Sequence, residues 1–330
     1  IDPNTNTNGN TGPNCTTVAD VTVNYIAPTI TCPANVTFAT DPGVCDAYVN
    51  LLPAVLNAPC SDLYVARYYT TGAVTIGSSA SPVDLATIIA TKFPKGLTTV
   101  NAIAGTVSGG LFTPFTPAVT CSYTVEVLDR EAPIAKCKNT IVSLNSSGMA
   151  TITSSDINSG STDNCMITSI VAAPLTFDCT KVGMNAVTLT VTDMSSNINT
   201  CTAMVVVIDN IAPTLTCPAS VTMNVSPNTG CTWTAAGLAP TAMTDNCILP
   251  SNPLTYSILN PDQTVRSGTG NVNGLLFDKG TSVVYYTLID ASGNISNCTF
   301  TVTVVDNVLP VIVDCPVNVT VEITSPSTLT

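Results

Sequence analysis

Histidine is absent from this chain of 330 residues, and positively charged residues are rare. Nine lysines and arginines stand against 21 acidic residues, which gives a formal net charge of −12. Nucleic-acid binding needs clustered Lys and Arg to neutralise phosphates, so we expect no nucleic-acid partner. Without histidine, the Ser-His-Asp and Cys-His arrangements of nucleophilic catalysis are excluded. No sequence pattern identifies a pair of acids for glycoside hydrolysis either. We therefore expect the protein not to be an enzyme.

Charged side chains of both signs are scarce. They make up 9% of the chain, against roughly 25% in an average soluble domain. A surface made of Thr, Ser, Asn and Ala gives little charge repulsion between neighbouring molecules. This composition favours a structural protein that associates. Aromatic residues account for 5%, which indicates no sugar-stacking surface. No apolar run approaches the ~20 residues of a membrane-spanning helix, so we expect no membrane span.

A tandem repeat is the main feature of the sequence. In its last copy, Phe300, Val302 and Val304 alternate with threonines, which is the period-two pattern of a half-buried strand. That strand begins at a cysteine, is broken by polar residues and proline, and leads to a second cysteine 16 or 17 positions later. The four copies of this segment run from Cys15 to Cys32, Cys121 to Cys137, Cys201 to Cys217 and Cys298 to Cys315.

Four such segments enclose three complete repeats, each of a size that suits one β-sandwich domain. We place the first repeat at 27–132, the second at 133–212 and the third at 213–308. Residues 1–26 are then the closing strand of a preceding repeat, and 309–330 the opening strand of a following one. Since no signal peptide or initiator Met is present, we expect a mature chain or a window of something longer.

The repeats share a set of short motifs. These are A-P-x3-C-P-x-N/S-V-T, G-x-C, D-N-C, F-x-K-G, D-A-S-G-N and C-T-F-T-V-T-V-V-D. In this series the chain resembles the hyalin repeat family over nearly its whole length, most closely in the third repeat and most loosely in the first. The resemblance implies an all-β fold of tandem immunoglobulin-like β-sandwiches, extracellular, with an adhesive or scaffolding role and no chemistry.

Fourteen cysteines at regular positions favour disulfides and an extracellular or cell-surface location. With no histidine and no C-x2-C spacing, zinc is not expected. The two cysteine-bearing strands of each repeat should lie side by side, which predicts the pairs Cys32–Cys121, Cys137–Cys201 and Cys217–Cys298. The remaining cysteines predict local pairs, namely Cys45–Cys60, Cys165–Cys179 and Cys231–Cys247.

Cys15 and Cys315 are left at the two ends, on strands whose own domains are absent. The segment Thr16–Val23 of one chain is therefore expected to add to Val311–Ile323 of the next. Because that contact joins different surfaces, it predicts an open head-to-tail homopolymer, locked by a Cys15–Cys315 bridge between neighbours. A window of a longer array explains both ends equally simply. We expect a structural fibre or surface array; the alternative is a cell-surface adhesin that binds glycan or protein ligands.

Asp and Asn residues recur at the joints and in turns. They are Asp209 with Asn210, Asp306 with Asn307, Asp290 with Asn294, and Asp193 with Asn197. Calcium bound at the joints is one interpretation, and Asx turns that cap their own backbone are the other. Because no single segment holds three acids, we favour the turns, expect no cofactor and predict that the fold needs no divalent metal. Calcium is retained as the alternative.

Overall fold

The computed structural model describes residues 27–57, 64–225 and 230–309. These residues are nearly all β, with strands that alternate between buried and exposed positions. The chain divides into two compact units. The first holds the residues up to 132 together with 163–166 and 193–197, and the second holds 133–162, 167–192 and the residues from 198 onward.

The described residues of the first repeat form nine strands and one short helix. They are β1 Thr29–Thr31, β2 Val36–Ala39, β3 Asp46–Ala47, β4 Val55–Asn57, β5 Tyr64–Gly72, α1 Leu85–Ile89, β6 Phe93–Pro94, β7 Gly96–Ser108, β8 Leu111–Pro114 and β9 Thr120–Leu128. The main sheet has the order β2-β9-β7-β5, with β8 added to β7. Two small sheets pair β1 with β4 and β3 with β6.

The second repeat is the shortest. Its elements are β10 Thr140–Ser143, β11 Met149–Thr151, α2 Ser154–Ile157, β12 Ile167–Ala173, β13 Thr176–Asp178, a 3-10 turn Cys179–Lys181, β14 Gly183–Asp193 and β15 Ile198–Ile208. The main sheet runs β10-β15-β14-β12, and β11 pairs with β13. The helix α2 begins with a capping box, in which the Asp156 carboxylate accepts from the Thr153 backbone N–H at 2.7 Å.

In the third repeat, the residues that the structure describes form nine strands. They are β16 Thr214–Thr216, β17 Val221–Asn224, β18 Thr232–Thr234, β19 Ala242–Thr244, β20 Leu254–Leu259, β21 Val265–Thr269, β22 Leu276–Asp278, β23 Gly280–Ile289 and β24 Ile295–Val305. The main sheet runs β17-β24-β23-β20-β21, and the small sheets are β16-β19 and β18-β22.

In each repeat the second part of the opening segment pairs with the last strand, and the pairing is parallel. These ladders join β2 to β9, β10 to β15 and β17 to β24. The last strand pairs antiparallel with the strand before it. The fold is that of tandem immunoglobulin-like β-sandwiches stabilised by disulfides, as the sequence predicts.

The core of each repeat lies between its main sheet and its small sheets. In the third repeat, Phe277 of β22 packs in one cluster with Val284 and Val302 of the main sheet, and all three are fully buried. The period-two pattern of the last strand is confirmed, since Phe300, Val302 and Val304 are buried. Burying one such side chain contributes about 1.5–3 kcal/mol, so these alternating rows are the main source of stability.

A buried tyrosine bonds the loops of the third repeat to its core. The hydroxyl of Tyr286, a fully buried residue, donates to the Leu238 carbonyl at 2.7 Å and accepts from the Val272 N–H at 3.0 Å. In the first repeat, the Tyr68 hydroxyl similarly accepts from the Ala54 N–H at 2.9 Å. A phenol at these positions satisfies backbone groups that burial would otherwise leave unpaired.

Candidate functional site

Three disulfides join the opening and closing segments within one repeat. They are Cys32–Cys121, Cys137–Cys201 and Cys217–Cys298, with Cα–Cα distances of 5.7, 5.9 and 5.7 Å. The parallel ladder explains the partners. Val36 faces Val125. Cys32 and Cys121 lie the same number of residues before these two valines, so a parallel register brings them together. The neighbouring-strand argument from the sequence therefore identified these pairs correctly.

The three predicted local pairs are wrong. Cys45 bonds Cys165, and Cys179 bonds Cys247, at Cα–Cα distances of 4.7 and 5.6 Å. Each of these bridges links one repeat to the next. Cys231 is a free, exposed thiol. The other predicted partner, Cys60, lies outside the described residues, as do Cys15 and Cys315.

The position of the G-x-C turn explains the correction. In the first repeat this turn lies beside the end of the closing strand, because the Thr40 N–H donates to the Leu128 carbonyl at 3.0 Å and the Gly43 N–H to the Glu131 carboxylate at 2.9 Å. The D-N-C turns lie instead where a repeat begins, next to the last residues of the preceding one. The two turns of one repeat are therefore at opposite ends of it, and the D-N-C turns of the second and third repeats meet the end of the preceding repeat.

Each described repeat places a cysteine at the same end of a small sheet. The carbonyl of Cys45 accepts from the Lys95 N–H at 3.1 Å, and that of Cys231 accepts from the Lys279 N–H at 3.2 Å. In the second repeat the cysteine is Cys179, which begins the 3-10 turn directly after β13, the strand that pairs with β11. Cys231 thus occupies the position from which the other two repeats form their bridge to the next.

Acidic residues from three separate segments meet at each boundary between repeats. At the boundary between the first and second repeats, which we call the first joint, one carboxylate oxygen from each of Asp129, Asp163 and Asp193 lies within 4.8 Å of the others. Asp129 and Asp193 are buried. Long stretches of sequence separate the three residues, which is why no cluster of three acids was visible in any one segment.

The boundary between the second and third repeats, the second joint, repeats this arrangement. Asp209, Asp245 and Asp290 stand in the corresponding D-N, D-N-C and D-A-S-G-N motifs. Oxygens of Asp209 and Asp245 lie within 4.8 Å of one another and of the Cys247 sulfur. That sulfur is bonded to Cys179, so it offers no thiolate. Asp209 and Asp290 are buried.

An asparagine holds the backbone at each joint in the same way. In the first joint the Asn197 amide donates to the carbonyls of Asp129 and Glu131, at 3.3 and 3.2 Å, and to the Asp193 carboxylate at 2.8 Å. In the second joint the Asn294 amide reproduces all three bonds. It donates to the carbonyls of Asp209 and Ile211, at 3.0 and 3.2 Å, and to the Asp290 carboxylate at 2.8 Å.

The turn aspartates make the Asx-turn bonds that the sequence predicts. One oxygen of Asp193 accepts from the N–H groups of Ser195 and Asn197, at 2.7 and 2.8 Å. Asp290 makes the matching bonds to Ser292 and Asn294, at 2.9 and 2.8 Å. These bonds fix the orientation of both carboxylates within their turns.

Several oxygens at the two joints are buried without a hydrogen-bond partner. In the D-N-C turns they are Oδ1 of Asp163 and Asn164, and Oδ1 of Asp245 and Asn246. Asp209 adds a fifth, since its Oδ2 has no partner although the residue is only 6% exposed. Leaving a buried acceptor unpaired costs about 1–3 kcal/mol, so the same pattern in two independent joints indicates a shared cause.

Among the described residues, no salt bridge offsets the repulsion between the aspartate carboxylates at the joints. The three salt bridges of the described residues involve Asp84, Asp46 and Asp306. Two unit charges 4.8 Å apart repel by about 3 kcal/mol at an effective dielectric constant of ~20. Burial raises the pKa of the Asp245 carboxyl above its usual range, and the charges of Asp290 and Asp209 raise it further.

Residues 208–304 match the family model of the HYR domain. The third repeat is a HYR domain. The match covers the motif set on which the resemblance to hyalin repeats was based, including the D-N-C turn and the closing strand. The sequence analysis named aspartates at the joints and kept calcium as an alternative, but it favoured Asx turns because no single segment holds three acids.

Comparison with solved structures gives distant similarities to extracellular proteins. Mouse cadherin-23 EC22-24 is 14% identical, with 84% of this chain and 99% of that chain covered and a TM-score of 0.30. Drosophila N-cadherin EC1-4 is 12% identical, with coverages of 86% and 76% and a TM-score of 0.32. Sidekick-1 immunoglobulin domains 1-5 are 12% identical, with coverages of 87% and 60% and a TM-score of 0.26. Such low scores carry no inference about function.

No curated protein matches the sequence significantly. Among the described residues, no helix is long and apolar enough to span a membrane.

Proposed function

We propose that this protein is a structural segment of an extracellular fibre or surface array, built from tandem β-sandwich repeats at 27–132, 133–212 and 213–308. The observation that carries the proposal is the pair of disulfides between successive repeats, Cys45–Cys165 and Cys179–Cys247. The main chain already connects the repeats, and a disulfide at each of the two described joints limits how far that connection can extend under load. Disulfides in this number also favour an oxidising location outside the cell.

The free Cys231 supports continuation of the same pattern. It occupies the position of Cys45, which bonds the D-N-C cysteine of the following repeat. By this rule, Cys231 bonds the D-N-C cysteine of a repeat that follows the third one. That repeat belongs either to a longer chain or to a second copy of this one.

In a homopolymer, the sequence names the partner of Cys231. The spacing from Cys137 to the D-N-C cysteine Cys165 in the second repeat equals the spacing from Cys32 to Cys60 in the first. Cys60 therefore holds the D-N-C position in the first repeat, and Cys231 of one copy would bond Cys60 of the next. This link is an alternative to the Cys15–Cys315 bridge, because a repeat completed by 309–330 of one copy and 1–26 of the next would stand between Cys231 and Cys60.

Non-reducing electrophoresis of native material tests the proposal. We expect a ladder of multimers that collapses to one band on reduction, with either a Cys231–Cys60 or a Cys15–Cys315 peptide in the multimers. The variant Cys231→Ser should abolish the ladder if Cys231–Cys60 is the link, and Cys15→Ser should abolish it if Cys15–Cys315 is. Monomers that bind glycans on an array would support the adhesin instead. One species much heavier than a single copy of this chain under reducing conditions would place the repeats in a longer chain and contradict the homopolymer.

A further inference from the structure

We propose that each of the two acidic joints binds one Ca²⁺ ion. The first site is formed by Asp129, Asp163 and Asp193 with the Asn164 side chain, and the second by Asp209, Asp245 and Asp290 with the Asn246 side chain. This inference is independent of how the chain assembles. It departs from the sequence-based expectation of no cofactor, because folding brings together acids that the sequence keeps far apart.

The spacing of the oxygens fits one shared cation. Calcium binds oxygen ligands at about 2.3–2.6 Å, so two ligands on opposite sides of one ion are up to about 5 Å apart. The three carboxylate oxygens of the first joint lie within 4.8 Å of one another, and so do those of Asp209 and Asp245. A cation between them would replace their mutual repulsion with attraction.

Unpartnered oxygens provide the independent observation. Asp209 is only 6% exposed, and its Oδ2 has no hydrogen-bond partner. Oδ1 of Asp245 and of Asn246 are likewise buried and unpaired, and Asp163 and Asn164 repeat the pattern in the first joint. The other oxygen of each D-N-C aspartate is satisfied, since Asp163 accepts from the Cys165 N–H at 2.9 Å and Asp245 from the Cys247 N–H at 3.1 Å. The turn bonds thus leave one oxygen of each free for a further partner.

The first joint has one neighbouring cation, and the second has none in the described part of the chain. The Lys95 ammonium contacts the Ser195 hydroxyl, which donates to Asp129 Oδ2 at 3.0 Å. Lys279, at the same position in the third repeat, pairs at 3.2 Å with Asp306, the counterpart of Asp129 at the end of that repeat. Asp129 Oδ2 accepts from Ser195 whereas Asp209 Oδ2 has no partner, so the second joint is expected to bind more tightly.

The chemistry of the donors selects calcium. Carboxylate and amide oxygens are hard ligands, which exclude the softer metals. The nearby sulfurs are committed to disulfides. Calcium accepts six to eight such oxygens in irregular geometry, whereas Mg²⁺ demands a near-ideal octahedron and keeps its waters. A site assembled from three loops fits the first ion better than the second.

Isothermal titration of the full chain with CaCl2, after treatment with EDTA, tests the proposal. We expect two sites with Kd of about 10⁻⁴–10⁻³ M, the range of extracellular modules. Asp163→Asn should remove only the first site and Asp245→Asn only the second. Asp262→Asn, which removes one charge from an exposed turn, is the matched control and should keep both.

Circular dichroism identifies any variant that fails to fold. In that case the number of Ca²⁺ ions bound by the wild-type chain tests the proposal. Absence of saturable calcium binding by the folded wild-type chain would overturn the proposal. So would equal binding by Asp163→Asn, Asp245→Asn and the control, or tighter binding of MgCl2 than of CaCl2. A rise in melting temperature with CaCl2 that is lost stepwise in the two variants would support it.

Discussion

Replacing the free cysteine distinguishes the two possible disulfide patterns of the third repeat. In the structure, Cys179–Cys247 closes a loop of 68 residues and Cys231 is unpaired. A disulfide that closes a loop of that length stabilises the folded protein by about 4 kcal/mol, because it restricts the unfolded chain. In a unit of this size, the double variant Cys179→Ser/Cys247→Ser should melt about 8–16 °C lower. Changing both residues avoids leaving a thiol that exchanges with other bridges.

The control is Cys231→Ser, which should shift the melting temperature by less than about 2 °C, because exposed substitutions usually stay within about 0.5 kcal/mol. Had Cys231 been bonded to Cys247, as the local pairing predicted, the bridge would close a much shorter loop. Breaking it would still cost about 3 kcal/mol. Differential scanning calorimetry of monomeric protein measures both variants. A marked loss of stability in Cys231→Ser would refute the cross-repeat bridge.

Three further substitutions test the packing. Tyr286→Phe should lower the free energy of unfolding by about 1–3 kcal/mol in urea melts, since two buried backbone groups lose their partner, whereas the more exposed Tyr285→Phe should change it little. Gly148→Ala should destabilise more than Gly160→Ala: both have positive φ, but only at Gly148 would the new Cβ lie 2.5 Å from a carbonyl oxygen. Burial, with a smaller effect of a neighbouring tyrosine, raises the pKa of Tyr123 from 10.0 to about 12, so its contribution to stability is full below pH 10 and is lost as pH rises to 12. Tyr123→Phe should flatten that fall in alkaline denaturation curves.

The sequence predicted what depends on local periodicity. Alternating apolar residues identified the buried face of each closing strand, and Cys217 and Cys298 could be paired because their strands are neighbours within one repeat. A strand's own pattern fixes which side faces inward, so this inference needs no knowledge of the neighbouring repeats.

Contacts between repeats could not be predicted in the same way. The partner of Cys179 lies 68 residues away, past the end of its own repeat, and nothing in the local pattern shows which turn meets which. The acids of the second joint posed the same difficulty, since Asp209, Asp245 and Asp290 come from three segments. Only the arrangement of successive repeats brings such residues together.

Peptide mapping of the non-reduced protein by mass spectrometry tests the central claim most directly, because the account depends on covalent links between successive repeats. We expect one cross-linked peptide that contains Cys45 and Cys165 and another that contains Cys179 and Cys247. Recovery of Cys165–Cys179 and Cys231–Cys247 peptides in their place would confine every bridge to a single repeat and contradict the account.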